Sequence, residues 1–204
     1  MAQGPQARAR RVQRRDEVKA RLGTAMLTVA RDRPFSSITV EEIATAAGIS
    51  RSTFYFYYRD KGDLLVDTAG QATDNLFSHA EEFWRAEGDR RDLVRGGLSM
   101  AAATFAEHAA LIRVTMEVST YDDQVREFWE SSVAKFVDAV ASRIRLDQEE
   151  GTVSAELDAD RLADVLVSAA QGYLFRATRN GDTPEEAAEI LADVWIRVLY
   201  PGPA

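Results

Sequence analysis

The sequence contains no cysteine and only two histidines, His79 and His108. The lack of cysteine excludes disulfides, thiolate zinc sites, iron–sulfur clusters and thiol nucleophiles, and two histidines leave little for a histidine metal site. No apolar run approaches the ~18 residues that a membrane span requires. We therefore expect no metal, no cofactor and no membrane partner.

Proline and glycine are also scarce, with five and twelve among 204 residues. Both residues interrupt helices, so their scarcity predicts long helical elements. The basic N-terminus lacks the apolar stretch of a secretory signal, and we expect a cytoplasmic protein.

The net charge of −8 is unevenly distributed along the chain. Residues 1–61 hold twelve Lys and Arg against six Asp and Glu, whereas residues 62–204 hold thirteen against twenty-seven. A basic N-terminal part on an acidic remainder predicts a polyanionic partner that binds at one end only. On charge alone, a basic segment that only promotes solubility is an equal alternative.

Residues 1–12 are rich in Arg, Ala and Gln and show no apolar period, which predicts a flexible arm. Its arginines either contact phosphates or do nothing specific. From Gln13 to Arg31, apolar residues recur every three or four positions, as on one face of an amphipathic helix. Pro34 is expected to end this helix, because the residue before a proline disfavours the helical conformation.

Two short helices joined by a tight turn are predicted next. Thr39 and Glu42 have the spacing of a capping box at the start of the first helix. Gly48 falls where the turn requires a positive φ, and Ser50 can cap the second helix. Two such helices form a helix-turn-helix. The predicted helices span residues 40–46 and 51–58, inside a DNA-binding domain at 13–61.

Five consecutive aromatic residues, from Phe54 to Tyr58, surround the second helix and cannot all lie on one buried stripe. Phe54 and Tyr58 are expected in the core, which leaves the three between them partly exposed. Exposed aromatic rings are costly unless another surface covers them. Among the residues of this helix, Arg51, Ser52, Thr53, Tyr55 and Tyr57 offer donors for phosphates and base edges, and apolar rings for thymine methyl groups. An aromatic-rich core helix in an all-α protein is the alternative.

The stretch from Ile38 to Leu65 resembles the DNA-binding segment of the tetracycline-repressor (TetR) family. It contains Ala44-Thr-Ala-Ala-Gly-Ile-Ser50, then Thr53-Phe-Tyr-Phe-Tyr-Tyr58, then Lys61 before a Leu-Leu pair. The second motif is similar to that of the ethionamide-resistance regulator branch, as are His108, Phe128-Trp129 and Trp195.

The resemblance implies an all-α fold in which a helix-turn-helix domain precedes a larger helical domain at 62–204 for effector binding and dimerisation. It also implies that Lys61 is free to contact a phosphate. Thr39 is expected to hold a second phosphate, and the remaining residues to face the major groove. The full expected DNA-binding set is Thr39, Arg51, Ser52, Thr53, Tyr55, Tyr57 and Lys61.

Six further helices are predicted in the larger domain, at 61–87, 93–109, 110–119, 122–150, 158–179 and 184–200. The last two are apolar on more than one side, and little chain remains outside them to cover two faces. A second copy related by a two-fold axis would cover the extra face as a four-helix interface; packing within one chain is the alternative. The expected interface residues are Leu166, Tyr173, Leu191, Val194 and Val198.

Bulky aromatic and sulfur side chains are dense in the middle of the larger domain, and each alone is more typical of core than of a ligand site. The family's effectors bind inside this bundle, so the resemblance implies an apolar chamber. Val94, Phe136 and Ala170 differ from the residues of the ethionamide-type relative, and the effector identity therefore does not carry over. The implied chamber wall consists of Leu93, Val94, Leu98, Ala101, Phe105, Trp129, Val133, Phe136, Ala170 and Trp195.

No catalytic motif is present: there is no credible Ser-His-Asp set, phosphate loop or nucleophile elbow. We therefore expect a non-enzyme, namely a dimeric regulator that binds a double-stranded palindromic operator and is released by a hydrophobic small molecule. When bound to DNA it would lie at the nucleoid. The alternative is a dimeric helical protein that sequesters a hydrophobic metabolite without reading DNA.

Overall fold

All regular structure in the described chain is helical. The computed structural model describes residues 5–86 and 88–202, apart from the side chains of residues 5–9, 11 and 79–85. That part of the chain contains nine α-helices, one 3₁₀ turn at Phe35–Ser37 and no strand, which confirms the all-α class. None of these helices combines the length and apolar composition that crossing a membrane requires. The helices are α1 Pro5–Val29, α2 Val40–Ala46, α3 Arg51–Tyr57, α4 Lys61–Arg85, α5 Arg90–Glu107, α6 Ala109–Ser119, α7 Asp123–Glu149, α8 Ala159–Asn180 and α9 Pro184–Leu199.

Helix α1 is longer than predicted. It begins at Pro5, so residues 5–12, for which a flexible arm was predicted, are helical; residues 1–4 lie outside the described residues. Proline is favoured at the first helical position, and Ala, Arg and Gln are good helix formers even where no apolar stripe exists. The prediction used apolar periodicity alone, which this segment lacks.

The start of α5 and the end of α3 also differ from the prediction. Helix α5 begins at Arg90 because Asp89 caps it: its carboxylate accepts the backbone N–H groups of Arg91 and Asp92 at 2.8 and 3.2 Å. A carboxylate at this position is a preferred N-cap, so the helix begins before Leu93, where its start was predicted. Helix α3 ends one residue early, with Tyr58 as its C-cap. Glu87, the predicted end of α4, lies outside the described residues.

The loop between α8 and α9 is set by local stop and start signals. Gly181 ends α8 in the left-handed conformation, with φ of 86°. Thr183 and Glu186 then form a capping box, and Pro184 occupies the first turn of α9. These local signals place both ends within one or two residues of the prediction.

The chain divides into two compact units. The first comprises the residues up to Gly70 together with Val114–Glu127. In it α2 packs against both α1 and α3. Its largest fully buried side chains are Leu22, Met26, Phe35, Ile43, Phe54, Leu64, Leu65, Val114, Thr115, Val118 and Val125.

The second unit comprises Gln71–Arg113 and the residues from Phe128 onward. Helix α5 packs against α8 and α9, which also pack against each other. Buried leucines, alanines and one tryptophan form a continuous core here, and Val94, Ala101 and Phe105 are partly buried against it. This core includes Leu98, Leu166, Ala170, Leu174, Leu191, Trp195 and Leu199.

A buried carboxylate joins three helices of the second unit. Asp147, near the end of α7, is fully buried. One of its oxygens lies 3.1 Å from Nε of Arg90 and 3.0 Å from Nε of Arg143, and the other accepts the Tyr200 hydroxyl. Burial raises the pKa of Tyr200, and the hydrogen bond to Asp147 raises it further, so the phenol remains a neutral donor. Arg91 also donates to the Tyr200 carbonyl at 3.0 Å, which fixes the end of α9.

Candidate nucleic-acid interface and effector site

The start of α2 is held by Thr39 and Glu42, as the capping-box spacing predicted. The Thr39 hydroxyl accepts the Glu42 backbone N–H at 3.2 Å and donates to the Glu42 carboxylate at 2.9 Å. The Thr39 backbone N–H donates to the same carboxylate at 2.8 Å. The hydrogen bond from Arg33, at 2.6 Å, is the largest cause that lowers the pKa of Glu42 to about 2. Both donors of Thr39 are therefore directed to a carboxylate that is ionised at neutral pH.

The turn after α2 needs a glycine. Gly48 has φ of 65°, and the next residue, Ile49, donates its N–H to the Ala44 carbonyl at 3.0 Å. A guanidinium N–H of Arg21 in α1 donates to the carbonyl of Ala47. Ser50 then caps α3, with its hydroxyl accepting the Thr53 N–H at 3.1 Å. The turn is thereby fixed from both helices and from α1, and the predicted helix-turn-helix is confirmed.

Helix α3 divides its aromatic residues as predicted. Phe54 and Tyr58 are buried, whereas the side chain of Tyr55 is 47% exposed and that of Phe56 is 78% exposed. Tyr57 is half-buried, and its ring packs edge-on against Phe56 with ring centres 5.3 Å apart. A short helix with two large exposed rings presents a surface suited to burial against a partner.

Polar groups at the start of α3 accompany these rings. Arg51 and Ser52 are exposed and Thr53 is half-buried. The Arg51 guanidinium lies 5.6 Å from the centre of the Tyr55 ring, with one nitrogen 3.4 Å from the Tyr55 hydroxyl. This is a long hydrogen bond on an exposed helix, and a guanidinium has five donors. Arg51 can therefore turn toward a base edge at low cost.

Lys61 is not free, contrary to the expectation from the family resemblance. Its ammonium donates to the carbonyls of Phe35, Ser36 and Ile38 at 2.7, 3.2 and 2.7 Å, and lies 4.9 Å from the centre of the Phe35 ring. An ammonium has three N–H donors, so all three are used inside the protein. Burial lowers the pKa of Lys61.

The ten predicted effector-binding residues all lie in the second unit, but they differ in burial. Leu98, Ala170 and Trp195 belong to the buried core, so a chamber wall there would be part of that core. Phe136 is half-buried and packs edge-on against Phe77, with ring centres 5.5 Å apart. The other six, all half-buried, are Leu93, Val94, Ala101, Phe105, Trp129 and Val133.

Two of the five predicted dimer-interface residues are buried within their own unit. Leu166 and Leu191 are buried in the core of their own unit and have little surface to offer a partner. The large apolar side chains of α9 that are exposed are Ile190, Val194 and Val198, at steps of four. On α8 the exposed one is Val165, next to Leu166. The sequence prediction mixed residues of the buried face with residues of the exposed face, because buried and exposed apolar residues are adjacent in the sequence. Tyr173 is partly buried against the core.

Two known families match this chain over the segments just described. The tetR family of bacterial regulatory proteins matches residues 24–68, which include α2 and α3. The C-terminal domain of the transcriptional regulator EthR matches residues 94–201, more than half of the chain. The chain belongs to the TetR family.

Several curated proteins are similar to this TetR-family chain. It is 30% identical to the HTH-type transcriptional regulator EthR of Mycobacterium tuberculosis over 177 residues, which are 83% of this chain and 81% of that protein. It is 29% identical to EthR of Mycolicibacterium smegmatis over 191 residues, 91% of this chain and 87% of that protein. These relatives are transcriptional regulators, a class that is not enzymatic.

Solved TetR-family structures share the fold. A regulator from Syntrophomonas wolfei superposes with a TM-score of 0.77 at 15% identity, covering 89% of this chain and 94% of that one. FadR of Thermus thermophilus, solved with lauroyl-CoA, gives a TM-score of 0.63 at 21% identity and covers 91% and 99%. At these identities the likeness concerns the fold alone.

One exposed residue of the TetR-family helix-turn-helix is missing from the DNA-binding set that the sequence predicted. Phe56 is the most exposed of the large apolar side chains that the structure describes, yet the sequence argument gave it no role. The signal was present, because Phe56 lies between the two buried aromatics Phe54 and Tyr58 and two residues from each.

Proposed function

We propose that this regulator is a repressor that binds a palindromic operator as a homodimer in the cytoplasm and is released by an apolar small molecule. The observation that carries the DNA-binding part is helix α3, which follows a fully capped turn and exposes Arg51, Tyr55 and Phe56. A protein that only sequesters a metabolite has no need for exposed aromatic rings beside a guanidinium. Footprinting of the DNA upstream of its own gene and of neighbouring promoters tests the proposal. Protection of no site would instead favour the sequestering protein.

The α3 surface is proposed to read the major groove. Arg51 can donate two hydrogen bonds to a guanine, and Tyr55 and Phe56 can contact thymine methyl groups. Ser52, Thr53 and Tyr57 complete the surface. The proposed phosphate contact of Thr39 requires one of its donors to exchange Glu42 for a phosphate oxygen. The exposed Arg10, Arg14 and Arg15 on α1 are further candidates for phosphate contacts.

Replacing Arg51 by alanine is expected to cost roughly 1–3 kcal/mol of operator affinity and to relax specificity at one position of each half-site. The reason is that a lost base contact penalises only the preferred sequence. Binding is measured by fluorescence anisotropy on the operator and on single-base variants of it. Arg145→Ala, which removes one exposed positive charge from the second unit, is the control and is expected to leave the base preference unchanged. A uniform loss on all sequences would contradict base reading by Arg51.

The effector is proposed to occupy the bundle of the second unit. That an apolar compound suits it is supported by the apolar character of the predicted wall residues, of which Val94, Ala101 and Phe105 are partly buried against the core. Helix α4 begins at Lys61 in the first unit, and its residues from Gln71 belong to the second. A ligand that prefers a shifted α4 can weaken DNA binding only through its difference in affinity for the two states. A coupling free energy of about 1–3 kcal/mol means that the ligand weakens DNA binding roughly 5- to 150-fold. DNA must then weaken the binding of the ligand by the same factor.

Filling the proposed chamber by Ala101→Trp is expected to abolish the response of operator binding to ligand. The indole would occupy space beside the core and either mimic the ligand or exclude it. The measurement is operator affinity with and without lauroyl-CoA, free fatty acids and aromatic amides. Ala103→Trp, two residues along α5 at an exposed position, is the matched control. A ligand that binds tightly to the wild type without changing operator affinity would contradict the release mechanism.

A further inference from the structure

The segment Phe35–Ile38, just before α2, is held from one side by Lys61. Three of its four carbonyls accept hydrogen bonds from the one ammonium group, at 2.7, 3.2 and 2.7 Å. The segment contains a 3₁₀ turn, in which the Phe35 carbonyl also accepts the Ile38 N–H at 3.1 Å. The last carbonyls of a helical turn lack partners within the turn itself. Lys61 therefore supplies donors that this stretch of backbone needs.

Glu117 holds the same segment through a different group. Its carboxylate, on α6, accepts the backbone N–H of Phe35 at 2.8 Å. It also lies near enough to Lys61 to favour the charged ammonium, which partly opposes the effect of burial. Three carbonyls of the segment thus bind the Lys61 ammonium of α4, and its first N–H binds the Glu117 carboxylate of α6. We call Lys61, Glu117 and Phe35–Ile38 the clasp.

The clasp fixes the position from which α2 starts. Ile38 is followed directly by Thr39, the N-cap of α2, and the Ile38 carbonyl is one of the three that bind Lys61. Phe35 and Ile38 are both buried, so the two ends of the segment are anchored by packing as well. Because α2 packs against α3, a displacement of α2 would also displace the exposed residues of α3.

We propose that Lys61 and Glu117 are positioning residues for DNA reading, and that Lys61 acts through the clasp instead of contacting a phosphate. This rests on the proposed DNA-binding function. A phosphate contact would require Lys61 to give up a carbonyl partner in the bound state. The clasp instead requires the same three carbonyls to stay bound, with and without DNA.

Salt dependence separates the two roles of Lys61. A lost phosphate contact lowers the slope of log affinity against log salt by about one and weakens all sequences alike. A lost clasp leaves the slope unchanged and weakens the operator roughly 2- to 30-fold, with little change on random DNA. We expect the second result for Lys61→Met. Lys135→Met, at an exposed lysine of the second unit, controls for the loss of one charge.

A double-mutant cycle tests whether Lys61 and Glu117 act together. Lys61→Met and Glu117→Ala should each lower operator affinity. The double variant should bind only slightly less tightly than the single variant with the lower affinity, because either substitution alone opens the clasp. Glu117→Gln keeps an oxygen that accepts the Phe35 N–H and should recover most of the affinity. Additive losses, or a slope lowered by about one in Lys61→Met, would overturn the proposal.

Hydrogen exchange at the Phe35 amide gives a readout that needs no DNA. Exchange should be faster in Glu117→Ala than in wild type and near normal in Glu117→Gln, at equal global stability in urea. If the wild type shows no preference for any DNA, the proposed function fails while this exchange pattern still reports on the clasp. Unchanged exchange in Glu117→Ala would show that the clasp does not hold the segment.

Discussion

Placing an aspartate at Val194 is expected to leave the protomer folded but monomeric, and to lower operator affinity by about a hundredfold or more. Val194 is 48% exposed on α9, in line with Ile190 and Val198, so a charge there is hydrated in the single chain. In the proposed two-fold dimer the same position is covered by the partner. A buried charge without a counter-charge costs several kcal/mol, which the interface cannot absorb.

Light scattering at micromolar concentration and operator titration measure the two consequences. Leu146→Asp, at a residue of α7 that is 49% exposed, is the matched control and should remain dimeric. Leu191→Asp should unfold the protein instead, because Leu191 lies in the core. A dimeric Val194→Asp protein with unchanged operator affinity would contradict the proposed interface. A two-fold dimer also predicts half-site centres about one helical turn of DNA apart, ~34–36 Å, or a multiple of it.

The proposed interface shows what the apolar pattern of a sequence can and cannot predict. The sequence indicated correctly that α8 and α9 are apolar on more than one side. It did not separate the sides, because Val165 and Leu166, or Ile190 and Leu191, are adjacent residues of the same chemical kind. Only the packing of α5 against both helices decides which residue of each pair is buried.

Local backbone signals gave more reliable predictions. The helix-turn-helix was predicted with α2 at its observed bounds, because Thr39, Gly48 and Ser50 each satisfy a specific backbone requirement nearby in the chain. The exposure of Tyr55 and Phe56 followed from counting aromatics against the width of one helix face. The hydrogen bonds from the Lys61 ammonium to backbone carbonyls could not be predicted in this way, since those carbonyls lie 23–26 positions earlier in the chain.

The proposed effector site was the part least accessible from sequence. Large apolar residues line cores and apolar chambers alike, and three of the ten candidates, Leu98, Ala170 and Trp195, are buried in the core. Nothing in a residue's own type distinguishes the two environments. The burial of Asp147 was likewise unexpected, because an aspartate near the end of an amphipathic helix is usually solvated.

Removing the Asp147 carboxylate is expected to destabilise the second unit by about 3 kcal/mol, the lower end of the usual cost of breaking a buried ion pair. Asp147→Ala leaves Arg90 and Arg143 without their buried counter-charge and the Tyr200 hydroxyl without its acceptor. Glu150, half-exposed and 3.0 Å from Arg90, can compensate part of the charge, which is why the lower end is expected.

Urea unfolding followed by circular dichroism measures this loss, with Asp74→Ala as the control. Asp74 and Lys135 form an exposed pair at 3.7 Å, and such pairs contribute about 0–1 kcal/mol. Tyr200→Phe should fall between the two variants, because it removes one hydrogen bond to a charged group and leaves both arginines paired. Since Tyr200 also fixes the end of α9, where Val198 lies, Asp147→Ala should weaken the dimer as well. Equal stability of the Asp147→Ala and Asp74→Ala proteins would show that the buried cluster does not hold these helices together.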